Sequence, residues 1–221
     1  MQPEQNMQKL LQWLGTGILI VLLLWSGISP FDRITWLMEV LPVLIVLPLL
    51  WYSKNNYPLT NLLYGLIFLH CIVLIVGGAY SYARVPLGFM LQQWLELDRN
   101  PYDKIGHFFQ GLVPAIAARE ILWRGAYVSS AKMLNFLIIC VVLAISASYE
   151  LIEWGAALAL GQGADEFLGT QGDVWDTQSD MFLALLGALA ALLFGRFHQR
   201  QLASLKAGSI VEHAVSGHQS R

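Results

Sequence analysis

GTQGDVWDTQSD, at residues 169–180, places three carboxylates directly in front of an apolar run. If Asp173 begins a helix, offsets of three and seven residues put Asp173, Asp176 and Asp180 on one helix face. That helix continues into a membrane-spanning segment, where an unpaired carboxylate is costly. The stretch therefore predicts a polar site at one face of a membrane, completed by polar groups from other segments.

Composition decides the class of protein. Hydrophobic residues make up 56% of the 221 residues, charged residues make up 13%, and the mean hydropathy is +0.55. Soluble domains carry roughly 25% charged residues, so this chain has about half the usual solvating surface. We expect an all-α, polytopic transmembrane helical bundle. A net charge of −2 without a basic stripe excludes a nucleic-acid-binding protein.

Six segments approach the length of about 20 residues that a membrane-spanning helix needs. They are Leu10–Ile28, Ile34–Tyr52, Leu59–Ala79, Ile105–Trp123, Met133–Leu160 and Thr177–Phe197. The fourth is the least hydrophobic, and residues 87–97 are too short to span and predict a helix lying in the interface. Glu39 in the second span is predicted to snorkel to the interface, with the polar site as the alternative. Residues 1–200 should form one integral membrane domain, and residues 201–221 a polar, disordered cytoplasmic tail.

The basic residues predict the orientation of the chain. An even number of spans, six, puts both termini on the same side of the membrane. Nine of the 13 Lys and Arg residues lie on that side. The other four lie on the opposite side; they are Arg33, Arg84, Arg99 and Lys104. The positive-inside rule then places both termini in the cytoplasm. The loops after the third and fifth spans face outward under this rule, together with the carboxylates of residues 169–180.

Two further stretches, DKIGH at 103–107 and YELIEW at 149–154, supply complementary polar groups. Asp103 and His107 are four residues apart at the start of the fourth span, and Glu150 and Glu153 are three apart in the fifth. Each pair shares a helix face. Antiparallel helix ends can point these side chains and Asp180 at a common volume.

This predicted cluster has three interpretations. In the first it is catalytic, with His107 as general acid or base, oriented by Asp103 or Glu153, beside Glu150 and Asp180. In the second it binds a divalent metal ion through ligands drawn from His107, Glu150, Glu153, Asp176 and Asp180. In the third it is structural, because His107 with Arg99 or Lys104 neutralises the acids and fixes helix packing.

Three motifs carry a family resemblance: RNPYDKIGHFFQG at 99–111, SASYELIEW at 146–154 and GTQGDVWDTQSDM at 169–181. With them the sequence resembles, over nearly its whole length, the uncharacterised inner-membrane proteins of the YjdF type. At lower specificity the second half is similar to the VanZ-like membrane proteins, which share an Asp-Lys-x-x-His helix start, a later Glu and an Asp-x-x-x-Asp motif. Both resemblances imply a bacterial envelope setting, and neither implies a defined substrate.

We therefore expect an enzyme or enzyme-like protein that acts on a membrane lipid or a lipid-linked group at the outer face. The alternative is a protein that binds or transports a cation or proton, and a transporter should show polar residues through the bilayer midplane. The inner halves of spans one, three and six are almost wholly apolar, which favours a site confined to one face.

Overall fold

The structure, a computed structural model, describes residues 3–160 and 171–205, and residues 169–170 of the stretch quoted above lie outside those ranges. The helices are α1 (Pro3–Ile28), α2 (Arg33–Ser53), α3 (Asn61–Tyr80), α4 (Pro86–Trp94), α5 (Tyr102–Arg124), α6 (Ala131–Leu160) and α7 (Asp176–Leu193). A further helical segment covers residues 195–205. The described ranges contain no strand, and the predicted all-α class is confirmed.

Five of the described helices, α1, α2, α3, α6 and α7, are long and apolar enough to cross a membrane. Helix α5 has 23 residues, which span about 34 Å at 1.5 Å per residue, but charged side chains at both ends lower its hydropathy. Together these helices are consistent with the prediction of about six spans. Helix α4 has only nine residues, and its exposed apolar side chains include Phe89, Met90 and Trp94.

Helix α5 lies at the centre of the bundle, where it packs against α3, α6 and α7. Glycines allow α5 and α7 to touch along their backbones. A methyl group at Gly111 would overlap the carbonyl oxygen of Ala184, and one at Gly187 would overlap that of Phe108. Because the two helix axes are held this close, the polar side chains at the starts of α5 and α7 are brought together.

The remaining helices form a second layer. Helix α1 packs on α3 and α2, and α2 packs on α3, around a core that includes Leu19, Val43 and Ile75. Helix α6 packs instead on α5 and α7. Helices α2 and α6 therefore face each other across a space instead of packing closely.

Capping explains where two of these helices begin. The side chain of Asp32 accepts a hydrogen bond of 2.8 Å from the backbone N–H of Thr35, which satisfies a donor at the start of α2. That hydrogen bond lowers the pKa of Asp32, because it favours the carboxylate over the acid. Thr60 caps α3 in the same way through the N–H of Leu63.

Polar side chains mark both ends of the bundle. The His107 end comprises the starts of α2, α5 and α7 and the ends of α3 and α6; the opposite end is the Glu120 end. The segment 195–205 packs at the Glu120 end, where Leu202 is buried and Gln201 Oε1 accepts a hydrogen bond from the N–H of Leu62. This helix continues to residue 205, past the predicted start of the tail at residue 201, and residues 206–221 lie outside the described ranges.

Candidate functional site

His107 lies at the centre of a group of acidic side chains at the His107 end. Its Nε2 is 3.4 Å from Asp103 Oδ1 and 3.8 Å from Asp180 Oδ2, and its Nδ1 is 3.9 Å from Glu150 Oε1. His107, Glu150 and Asp180 are buried, and the side chain of Asp103 is only 14% exposed. Three helices, α5, α6 and α7, thus bring together four of the five residues predicted to be catalytic.

Asp176 and Asp173 belong to a different ionic contact. Arg99 Nη2 lies 2.5 Å from Asp176 Oδ1 and 3.2 Å from Asp173 Oδ2. Partial burial acts to lower the pKa of Arg99, but the hydrogen bond from Arg99 to Asp176 and the nearby acids outweigh it and raise that pKa. Asp176, a predicted metal ligand, is therefore the partner of a guanidinium at the start of α7.

Glu153, the fifth predicted catalytic residue, lies one helical turn beyond Glu150 and lines a cavity beside the group around His107. The cavity has a volume of about 310 Å³ and lies between α2, α3, α5 and α6. Its polar lining consists mainly of Glu39, His70, Asp103, His107, Gln110, Tyr149 and Glu153. Its apolar lining includes Pro42, Val46, Ile67, Val113, Ala117 and Ile145.

The two kinds of lining residue are segregated along three of the four helices that line the cavity. On α5 the order from the His107 end is Asp103, His107, Gln110 and then the apolar residues that end at Ala117. Asp103 and Ala117 are 14 positions apart, which corresponds to about 21 Å of helix. On α2 and α6 the acidic residues are likewise nearer the His107 end than the apolar lining residues. The cavity is thus elongated, and its α2, α5 and α6 walls are polar at the His107 end and apolar along the rest, whereas on α3 Leu74 lies nearer that end than His70.

One side of this cavity reaches the surface of the bundle between α2 and α6. Ile145 of α6 lines the cavity and is nevertheless 41% exposed. The Tyr149 hydroxyl donates a hydrogen bond of 3.3 Å to Glu39 Oε2, which links α6 to α2 at the polar end. Glu39 is buried, so it faces the polar site instead of snorkelling to the interface as predicted.

Several side chains at the cavity were not predicted. Tyr149 lies in the quoted stretch YELIEW, four residues before Glu153 and hence on the same face of α6, so the helical spacing contained this signal. Gln110 lies three residues after His107, so the helical spacing also places it on the face of α5 that carries His107. His70 was passed over although it lies in an apolar segment, where an ionisable side chain signals a functional position.

The hydrogen bond to Gln110 fixes the orientation of the histidine ring. His107 Nδ1–H donates to Gln110 Oε1 at 3.1 Å, since an amide oxygen can only accept. The Nε2 atom of the ring is then directed at Asp103 and Asp180. This arrangement can hold positive charge at Nε2, beside a cavity that carries further carboxylates.

Comparisons with known proteins agree with the motifs. A family model described as a predicted membrane protein (DUF2238) matches residues 11–201, which include all three quoted motifs. Inner membrane protein YjdF of Escherichia coli (strain K12) is 68% identical over 185 residues, which cover 83% of this chain and 88% of that protein. No solved structure matches. The predicted resemblance to the YjdF type is confirmed, and the chain belongs to the DUF2238 family of predicted membrane proteins.

Proposed function

We propose that this protein is an inner-membrane enzyme that acts on the polar group of a lipid or lipid-linked molecule bound in the cavity. The observation that carries the proposal is the segregated lining of α2, α5 and α6, with acidic and hydrogen-bonding groups at one end and apolar side chains along the rest. Such a lining matches a molecule with a polar head and a hydrocarbon chain. A wholly polar solute would find no hydrogen-bonding partners along the apolar walls, and removing its polar groups from water there would be costly.

The space between α2 and α6 supports entry of this molecule from the bilayer. Ile145 belongs to both the cavity and the outer surface, so a hydrocarbon chain at that surface has a continuous apolar path inward. A lipid that uses this path never leaves the membrane, and its chain exchanges one apolar environment for another. The polar head then lies at Glu39 and Tyr149, where the hydrogen bond between α2 and α6 must open or shift.

Acid–base chemistry at the polar end follows from the groups that line it. Glu39 and Glu153 are carboxylates that line the polar end of the cavity, and we assign them proton transfer to or from the substrate. Positive charge held at His107 Nε2, between Asp103 and Asp180, would stabilise an anion that develops on the substrate. Asp103 and Gln110 position the ring, and Glu150 supports it from α6.

In this proposal the His107 end faces out of the cytoplasm, following the positive-inside rule. Transport of a cation or proton receives less support. Between the two polar ends, residues 111–118 of α5 are all apolar or glycine, so the central helix offers no polar path across the bundle. A site confined to one end is what an enzyme acting on an envelope lipid requires.

The test of lipid binding compares two tryptophan substitutions on α6 in detergent-purified protein. Ile145→Trp fills the cavity, whereas Ile152→Trp changes an exposed residue of the same helix that does not line it. Native mass spectrometry should find a copurified lipid with wild type and Ile152→Trp, and much less with Ile145→Trp. Equal lipid retention by all three proteins would contradict the proposal.

The test of activity uses vesicles made from a bacterial inner-membrane lipid extract. Wild-type protein should consume a lipid species and form a product, seen as a paired mass change. Glu153→Gln keeps the shape of the side chain but loses its charge, and should reduce the change at least tenfold. Glu96→Gln, on an exposed residue outside the cavity, is the control and should behave as wild type. A turnover unaffected by Glu153→Gln would remove that residue from the assigned chemistry.

A further inference from the structure

The group formed by Asp103, His107 and Asp180 has the spacing of ligands around one ion. One donor atom from each residue lies within 4.8 Å of the other two. Two atoms bound to the same ion at about 2.1 Å in tetrahedral geometry are separated by roughly 3.4 Å. The distances from Nε2 to the two carboxylates, 3.4 Å and 3.8 Å, are close to that value.

The tautomer of His107 prepares Nε2 as a ligand. Because Nδ1–H donates to Gln110 Oε1, the neutral ring presents an unprotonated Nε2 to Asp103 and Asp180. The lone pair of Nε2 and the two carboxylates repel each other unless a positive charge lies between them. Metal-binding histidines commonly donate their second ring N–H to an oxygen acceptor in this way, which fixes the ring.

Buried acceptors give a second, independent indication. Asp180 Oδ1 and Asp103 Oδ2 are inaccessible to solvent and accept no hydrogen bond from the described residues. The side chain of Asp180 is 3% exposed. A buried carboxylate with an unsatisfied oxygen is expensive unless a cation compensates it. Two carboxylates and a neutral imidazole carry a charge of −2, which one divalent cation balances.

We propose that Asp103, His107 and Asp180 bind a divalent transition-metal ion of the Zn²⁺ or Mn²⁺ class. A single imidazole with two carboxylates suits a borderline or moderately hard ion, and the absence of thiolate from the trio disfavours Cu⁺. Three protein ligands leave coordination positions open, as in catalytic sites, and Asp103 and His107 line the cavity. The ligand geometry stands whether or not a lipid enters, so this inference goes beyond the proposed function.

The proposed ligands differ from the set predicted from sequence. His107 and Asp180 belong to both sets, and Asp103 replaces Asp176, which bonds Arg99. Glu150 Oε1 is nearest to Nδ1 of the ring, away from the ligand atom Nε2. A cation at the trio would make His107 a ligand and leave proton transfer to the carboxylates on the cavity wall.

The experiment measures metal in detergent-purified protein after chelation and reloading with Zn²⁺ or Mn²⁺. Wild type should retain about one ion per chain after desalting. Asp180→Asn and Asp103→Asn keep the side-chain volume but weaken ligation, and each should lower the retained metal at least tenfold. Asp173→Asn, a control from the loop before α7, should retain wild-type metal because Asp173 bonds Arg99 outside the trio. Failure of wild type to retain either ion, or equal retention by all variants, would overturn the site.

A second measurement needs no variant and covers the case in which the asparagine variants fail to fold. Mn²⁺-loaded wild type should show nitrogen hyperfine coupling from one histidine in pulsed electron paramagnetic resonance, and added Zn²⁺ should displace the signal. A bound Mn²⁺ without nitrogen coupling would contradict ligation by His107. Glu39→Gln separates the two proposals: it should retain the metal while it lowers lipid turnover.

Discussion

His198 Nε2–H donates a hydrogen bond of 3.2 Å to Glu120 Oε2, and both side chains are completely buried at the end of the bundle opposite His107. The same carboxylate accepts hydrogen bonds of 3.0 Å from the Thr60 hydroxyl and from Arg124 Nη1. Glu120 therefore joins α5 to the loop before α3 and to the segment 195–205. Its acceptors are occupied, whereas the carboxylates around His107 keep unsatisfied oxygens.

Removing this carboxylate should destabilise the protein. Glu120→Ala leaves buried His198 and Thr60 without their acceptor, and the free energy of unfolding should fall by about 3 kcal/mol. Unfolding in mixed micelles measures the change. Glu96→Ala, at an exposed position, should change it by less than about 0.5 kcal/mol. A loss below about 1 kcal/mol for Glu120→Ala would show that the network contributes little to stability.

The backbone contact between α5 and α7 should not tolerate a methyl group. Gly187→Ala forces α7 away from Phe108, and we expect a loss of about 2 kcal/mol in stability from overpacking. Gly65→Ala is the matched control, since nothing lies within 4 Å of the added methyl, and helix propensity should stabilise that variant by up to about 1 kcal/mol. Equal effects of the two substitutions would contradict the close approach.

The cap of α2 gives a pH-dependent prediction. Because the folded-state pKa of Asp32 is lowered, the stabilisation from this group is present above its unfolded-state pKa and is lost as pH falls through the folded-state value. Asp32→Asn should keep the cap at neutral pH but remove its acid dependence, whereas Asp32→Ala should cost about 1 kcal/mol at neutral pH. Thermal unfolding between pH 3 and pH 7 distinguishes the variants. An identical acid dependence for wild type and Asp32→Asn would refute the assignment.

The orientation of the His107 end can be measured with membrane-impermeant maleimide on intact spheroplasts. In a variant without Cys71 and Cys140, Gln93→Cys on α4 should be labelled from outside. Asn55→Cys, in the exposed loop at the Glu120 end, should react only after the membrane is permeabilised. The reverse pattern would place the candidate site in the cytoplasm and end the envelope-lipid proposal.

The helices were largely predictable from sequence, because the length of an apolar run is local information. The second span was predicted at Ile34–Tyr52 and observed at Arg33–Ser53. Part of the candidate site was also predictable, since residues three or four apart share a helix face. Asp103 with His107 is the simplest case, and the glycine contact between α5 and α7 adds Asp180.

Long-range partners were not predictable in the same way. Arg99 and Asp176 are 77 residues apart, and no local spacing relates them. His198 follows the end of the sixth predicted span, Thr177–Phe197, and no local spacing relates it to Glu120, yet its ring is buried against Glu120, 78 residues earlier. Which cation meets which acid depends on how helices cross, and one sequence does not contain that information. The more distant likeness to VanZ-like proteins stays a prediction.

The length of α6 has a consequence for the depth of the candidate site in the bilayer. Its 30 residues measure about 45 Å, whereas the hydrocarbon layer is about 30 Å thick. With Ala131 at one boundary of that layer, the helix reaches the other boundary after about 20 residues, near Glu150. The carboxylates of α6 then stand at the level of the glycerol and phosphate groups of the lipids, where water is present. At that level a hydrolytic reaction could use water as its second substrate while the lipid chain stays in the hydrocarbon layer.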